Sequence, residues 1–280
     1  MDIQGWKYYN HAAVPTTSPH ESPDIIPVEN GSIWKIEGGT PLLARWTEDF
    51  DCGRETNWWY VIKDTPFDIS ELKAKRRYEI NKGIKNFDVV KIDPLKYKEE
   101  LYAVQVDAFS AYPEKYRPNV DKSLFTESIN EWDSLIIFGA FHRDLGEMCG
   151  YAMITPKGDG HMNFSVLKTK PTYEKDAVNA ALVNGVLEYL NGFLKNGGYL
   201  CDGTRSINHE TAFQDYLEKY FSFRKAYCKL CIAYNPKIKW LMKLLFPFRR
   251  ILLKLDGIGI FHLLNSVLLM DELSREKGKK

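Results

Sequence analysis

Three strand-like runs joined by two tight turns occupy residues 134–168, and they decide what kind of sheet this chain can build. Asp144-Leu145-Gly146-Glu147 separates residues 134–143 from 148–155, and Lys157-Gly158-Asp159-Gly160 separates that run from 161–168. Connections this short permit only antiparallel pairing, because a parallel crossover takes a dozen or more residues. The stretch predicts a meander and excludes a doubly wound parallel sheet.

The flanking segments complete the order. A long helix is expected from about 173 to 194, where Ala177, Ala181, Val183, Val186, Leu187, Leu190 and Leu194 recur near a 3.6-residue period. Gly197-Gly198 ends it; a short strand at 199–202, a helix capped by Ser206 and an alternating strand at 223–234 follow. Upstream, Asp68-Ile69-Ser70-Glu71 has capping-box spacing and opens a helix for which Gly83 is the C′ stop. A strand at 88–92, helices at about 94–110 and 122–130, and strands at 32–36 and 58–62 are expected. Prolines at 15, 19, 23 and 27 forbid a regular helix near the N-terminus. This order is an α+β layer with helices around a mixed sheet.

With 280 residues, 44% hydrophobic and 27% charged, the chain has material for a sizeable core. Its formal charge of +1 shows no basic excess of the kind a dedicated nucleic-acid binder carries. Five cysteines give no paired framework, and the N-terminus lacks a basic region followed by an apolar run. Reduced thiols in a cytoplasmic protein are the expectation. Cys228 and Cys231 lie three apart on a strand, point to opposite faces and read as packing residues, so no metal site is expected.

The order of elements resembles a GNAT (Gcn5-related N-acyltransferase) domain over 93–235. Upstream, Arg77-Tyr78-Glu79-Ile80-Asn81-Lys82 fits an R-x-x-I-x-K pattern on a helix, followed by Val89-Val90-Lys91-Ile92. This is similar to the piece preceding the acyltransferase domain in Fem-like proteins, bacterial aminoacyltransferases of cell-wall precursors with relatives in polysaccharide synthesis. The resemblance implies a truncated second GNAT-like unit at 1–92; the tail at 236–280 reads from its own residues as basic and helical. It also implies a donor, acyl-CoA or aminoacyl-tRNA, and no certain cofactor. GNATs that use acetyl-CoA hold its pyrophosphate on a glycine-rich loop at a helix N-terminus. The matching segment, Lys170-Pro171-Thr172-Tyr173-Glu174-Lys175-Asp176-Ala177, has no glycine and places two carboxylates in the expected first turn. Fem-like proteins also lack that loop, so the departure favours an aminoacyl donor.

Four groups of residues are candidates for chemistry. On a helix running from Ile69, the apolar face of Ile69, Leu72 and Ile80 holds Arg76 in its middle. A guanidinium there needs an anion, either a structural carboxylate or a substrate group; Arg77 and Lys73 add positive charge. Asp202, Arg205, Asn208, His209 and Glu210 follow the short strand, where the resemblance brings donor and acceptor together. Asp202 or His209 would be the base and Arg205 would hold a phosphate; the structural alternative pairs Asp202 with Arg205 and has His209 cap a helix. His161 and Asn163 share one face of the third meander strand, inward as base and partner or outward as polar surface. Residues 237–254 are basic, aromatic and amphipathic, suited either to an anionic membrane face or to closing the core.

Three functions stand: transfer of an acyl or aminoacyl group to an amine of a cell-surface polysaccharide or peptidoglycan precursor; acetyl-CoA-dependent N-acetylation with an altered pyrophosphate site; and a non-catalytic protein binding a glycan or lipid carrier. The implied partners are a small-molecule or lipid-linked glycan, tRNA, and the inner face of a membrane.

Overall fold

The computed structural model describes residues 1–206, 212–255 and 259–275. In chain order the elements are β1 (Trp6–Tyr9), β2 (Ala12–Pro15), α1 (Ile26–Glu29), β3 (Leu43–Glu48), β4 (Trp58–Lys63), α2 (Ala74–Asn86) and β5 (Phe87–Ile92). Next come α3 (Lys98–Ser110), α4 (Lys122–Ser128), β6 (Ile136–His142), β7 (Met148–Gly158), β8 (His161–Thr169) and α5 (Val178–Lys195). The chain continues with β9 (Tyr199–Thr204), α6 (Ala212–Phe221), β10 (Arg224–Tyr234), α7 (Pro236–Leu245), α8 (Arg249–Leu252) and α9 (Gly259–Arg275). The fold is α+β, a mixed sheet flanked by helices, in two compact units.

Unit 2 is Ile62–Gly203 with Phe213–Arg224. Its strands run in the order β9-β8-β7-β6-β5. The expected meander is there: β5 through β8 pair antiparallel, and β9 joins β8 in parallel after the α5 crossover. One apolar cluster gathers Leu101 and Val104 of α3 with Ile129, Ile137, Tyr151 and Met153. Helix α5 lies close on β5, since a Cβ on Gly185 would stand 2.5 Å from Val89.

Unit 1 is Met1–Val61, Thr204–Ala212 and Lys225–Lys280. Strands β1 and β2 pair antiparallel, β2 and β3 parallel, and β3 and β10 antiparallel, so this sheet is also mixed. Trp6, Ala13, Ile33 and Ala44 form one core cluster. Tail residues Met242, Val267 and Leu268 pack with Ala12 and Leu43 in another. The opposite side of the tail exposes Trp240, Leu241, Leu244, Phe248 and Ile251. No described helix is long and apolar enough to cross a membrane.

Four local expectations are corrected. The segment 32–36 is a 3-10 turn, not a strand: Gly31 at φ 80° starts it, and Ile33 and Ile36, three apart, are both buried. Asp68 does not open α2, because its Oδ1 accepts from the Ser70 N–H at 2.7 Å and closes the short turn Ile69–Glu71. Leu72 is then extended, and the helix starts at Ala74. Gly83 lies inside α2, not after it. The segment Pro171–Asp176 is a 3-10 turn, broken from α5 by Ala177 in the left-handed region at φ 66°. Glu174 and Asp176 therefore precede α5, whose own first turn carries no acidic residue.

Candidate functional site

Strands β8 and β9 pair only at His161↔Tyr199, Met162↔Leu200 and Asn163↔Cys201. Asp202 is the first residue of β9 past the end of that ladder. Beside the divergence, the β7–β8 register slips between Met153 and Ile154, so Ser165 is an extra residue in β8. Such a bulge bends the strand and re-aims its side chains. Gly203 turns β9 at φ 114°, a conformation L side chains rarely adopt, and its N–H donates to the Cys201 Sγ at 3.3 Å.

The Asp202 carboxylate accepts from the Gln214 amide of α6 at 3.2 Å. Burial pushes its pKa up to about 7, the Gln214 hydrogen bond opposing in part. A carboxyl that titrates near neutrality can take a proton and give it back at physiological pH. Helix α6 is seated by Phe213, which meets Phe164 of β8 edge-on with ring centroids 5.9 Å apart. Nothing in the sequence singles out Gln214; its role appears only when α6 is packed.

His161 is 4% exposed. Its ring stacks on Tyr199 at 4.8 Å, and its Nε2 lies 2.7 Å from the Asn163 Oδ1, so the two polar residues do share a face. Further along β8, the half-buried Lys168 sets its ammonium 4.4 Å over the Phe109 ring, and burial lowers its pKa. Strict alternation from His161 and Asn163 puts Lys168 on the opposite face; the bulge at Ser165 shifts the parity, and the sequence carries no signal for it.

Arg76 is half-buried in α2, and its side chain makes no hydrogen bond or ion pair to a described residue. The face that was to hold it is broken, because Ile69 and Leu72 lie outside the helix. Arg77 donates to the Ser70 carbonyl at 3.1 Å, and Lys73 is exposed at the N-cap of α2. In unit 1, Arg205 donates to the Asn57 carbonyl at 2.7 Å and stacks 4.5 Å over the Trp59 ring. Asn208, His209 and Glu210 lie outside the described residues.

The N-terminus of α5 is covered. A Cβ on Gly83 would stand 2.6 Å from the Ala177 carbonyl oxygen and 2.8 Å from the Ala181 nitrogen, so α2 passes the first turn backbone to backbone. Ala177 is 2% exposed, and Val178 and Ala180 are 0%. Asn86 donates to the Asp176 carbonyl at 3.2 Å, and Lys82 donates to the Lys175 carbonyl. Helix α2 thus packs on the side of this turn, and Val178 and Ala180 are closed to solvent.

No family model matches the chain, and no curated protein matches it in sequence. Among solved structures it is similar to L-PGS from Bacillus licheniformis, with a TM-score of 0.52 at 11% identity over 97% of this chain and 85% of that one. It is also similar to a lysylphosphatidylglycerol synthetase-like C-terminal domain (DUF2156) from Agrobacterium fabrum, at 0.50 and 8% over 85% and 82% of the two chains. A tandem GNAT protein from the clavulanic acid biosynthesis pathway scores 0.44 at 10% identity, over 80% and 75% of the chains. At these identities the likeness is one of fold: a mixed α+β sheet flanked by helices, in two units.

Proposed function

We propose that the chain is an acyltransferase that moves an aminoacyl group from aminoacyl-tRNA to an amine of a membrane-held cell-envelope precursor, a lipid-linked glycan or peptidoglycan intermediate. The covered first turn of α5 carries this reading. A CoA donor gripped through its pyrophosphate needs the N–H groups of that turn, and the turn is buried, with α2 packed closely on its side. An aminoacyl ester delivers its reactive carbonyl without a pyrophosphate. The likeness to L-PGS supports the same side, since the similar Agrobacterium domain comes from a protein described as a lysylphosphatidylglycerol synthetase.

In the reaction, the acceptor amine attacks the ester carbonyl and a C–N bond forms. Asp202 takes the ammonium proton, the tetrahedral intermediate collapses with loss of the C–O bond, and the proton passes to the departing tRNA hydroxyl. Membrane-held acceptors are supported by the tail: residues 236–254 contain no acidic residue, and Lys237, Lys239, Lys243, Arg250 and Lys254 are exposed among Trp240, Leu244 and Ile251.

The test is donor competition. Labelled aminoacyl-tRNA and labelled acetyl-CoA are each incubated with the full chain and envelope lipid extract. Label moving into the lipid-linked fraction from the tRNA alone supports the proposal. Transfer from acetyl-CoA alone defeats it in favour of an acetyltransferase, and binding without turnover would mark a non-catalytic carrier protein.

A further inference from the structure

Unit 1 contains a pocket of about 240 Å³ lined by residues of β1, β2, β3 and β4 and by the proline-rich loop after β2. Its walls include Trp58, Tyr60, Pro19, Lys7, Glu21 and Arg45. Arg45 sits on β3 opposite Ile232 of β10, with its guanidinium 5.9 Å from the Trp58 ring centroid. Its guanidinium makes no hydrogen bond or ion pair to any described residue, and its Nε is shut off from solvent. The Trp58 indole N–H is buried and unpartnered in the same way. Buried arginines ordinarily hold a carboxylate, and a buried donor left unmatched is costly. The only carboxylate in the wall, Glu21, is turned to the Ser18 N–H at 2.9 Å.

We infer that this pocket is a binding site for a small oxyanion, a carboxylate or phosphate borne on a short apolar body, with Arg45 as its anchor. Lys7 and Arg45 against Glu21 leave the wall with one positive charge in excess. Val14, Pro15, Pro23 and Leu230 supply an apolar floor for the body of the ligand. The volume falls below the ~300–1,000 Å³ of drug-sized sites, which selects a fragment-sized ligand or the headgroup of a larger one. Burial lowers the Arg45 pKa, and an arriving anion reverses that penalty. The site stands or falls independently of the transfer reaction, since all its residues lie in unit 1.

Calorimetry on the full chain tests it with four probes: inorganic phosphate, glycerol 3-phosphate, hexanoate and dihexanoyl phosphatidic acid. At least one is expected to bind, and Arg45→Met is expected to weaken it by about tenfold or more, with Arg45→Lys intermediate. Binding of glycerol 3-phosphate alone identifies a free metabolite; binding of dihexanoyl phosphatidic acid alone identifies a lipid headgroup. Because the Arg45 guanidinium has no hydrogen-bond or ion-pair partner among the described residues, Arg45→Met is expected to hold or raise the melting temperature. Failure of all four probes, equal binding by Arg45→Met, or a marked loss of melting temperature in that variant would each overturn the site.

Discussion

Gly83 of α2 meets the carbonyl oxygen of Ala177 so closely that a methyl group there would stand 2.6 Å from it. Alanine is favoured over glycine in a helix interior by about 1 kcal/mol. Here that gain is outweighed, because both nearest atoms are backbone and cannot swing aside. Gly83→Ala is expected to lower stability by about 1–3 kcal/mol, read by urea denaturation. A variant as stable as the parent would mean that α2 does not seal the first turn of α5.

The same glycine shows where the sequence stopped being legible. The meander, its flanking helices and β9 could be read from turn residues and periodicity, because those signals are local. Gly83 looked like a helix stop, since a C′ glycine and a glycine of close approach are the same letter. Asp68 carried a capping-box pattern but spent its carboxylate on the Ser70 N–H, and that choice moved Leu72 off the helix and dissolved the face argued for Arg76. Ala177 in a left-handed conformation has no sequence signal at all. Of the site, Asp202 came into view through the resemblance, which places donor and acceptor beside the short strand after the long helix; Gln214 and Arg45 owe their places to contacts distant in sequence.

Asp202 makes the protein sensitive to pH with a definite sign. Its pKa in the fold, about 7, lies above the ordinary 3.8, so the fold prefers the protonated form. That contribution to stability is complete below about pH 4 and is lost as pH rises through 7. Asp202→Asn removes the charge and keeps a partner for Gln214. The variant is expected to match the parent near pH 4 and exceed it by up to about 4 kcal/mol at pH 8, read from melting curves at both values. Transfer should rise with an apparent pKa near 7 in the parent and be lost in the variant. Equal stability curves would remove Asp202 as the titrating group.

Arg76 has no carboxylate to strand. Arg76→Met is therefore expected to change stability by no more than about 0.5 kcal/mol, the range of ordinary surface changes. If the guanidinium serves an anionic substrate, the same variant should raise KM with little effect on the melting temperature. A loss of several degrees without any kinetic change would show that Arg76 supports only the fold.

The tail must be tested without removing it. Met242, Val267 and Leu268 are buried against Ala12 and Leu43, so truncation after β10 would open the core of unit 1. Trp240, Leu244 and Ile251 are 78%, 68% and 63% exposed, and replacing all three with serine removes little packing. The parent chain is expected to sediment with anionic liposomes and to release as salt rises, since basic residues near such a surface contribute about 1 kcal/mol each. The triple variant should keep its circular dichroism and melting temperature while losing most of that binding. Salt should weaken what remains, because Lys237, Lys239, Lys243, Arg250 and Lys254 are untouched. Undiminished sedimentation by the triple variant would assign the membrane contact elsewhere, and a collapsed melting temperature would show these three side chains to be part of the core.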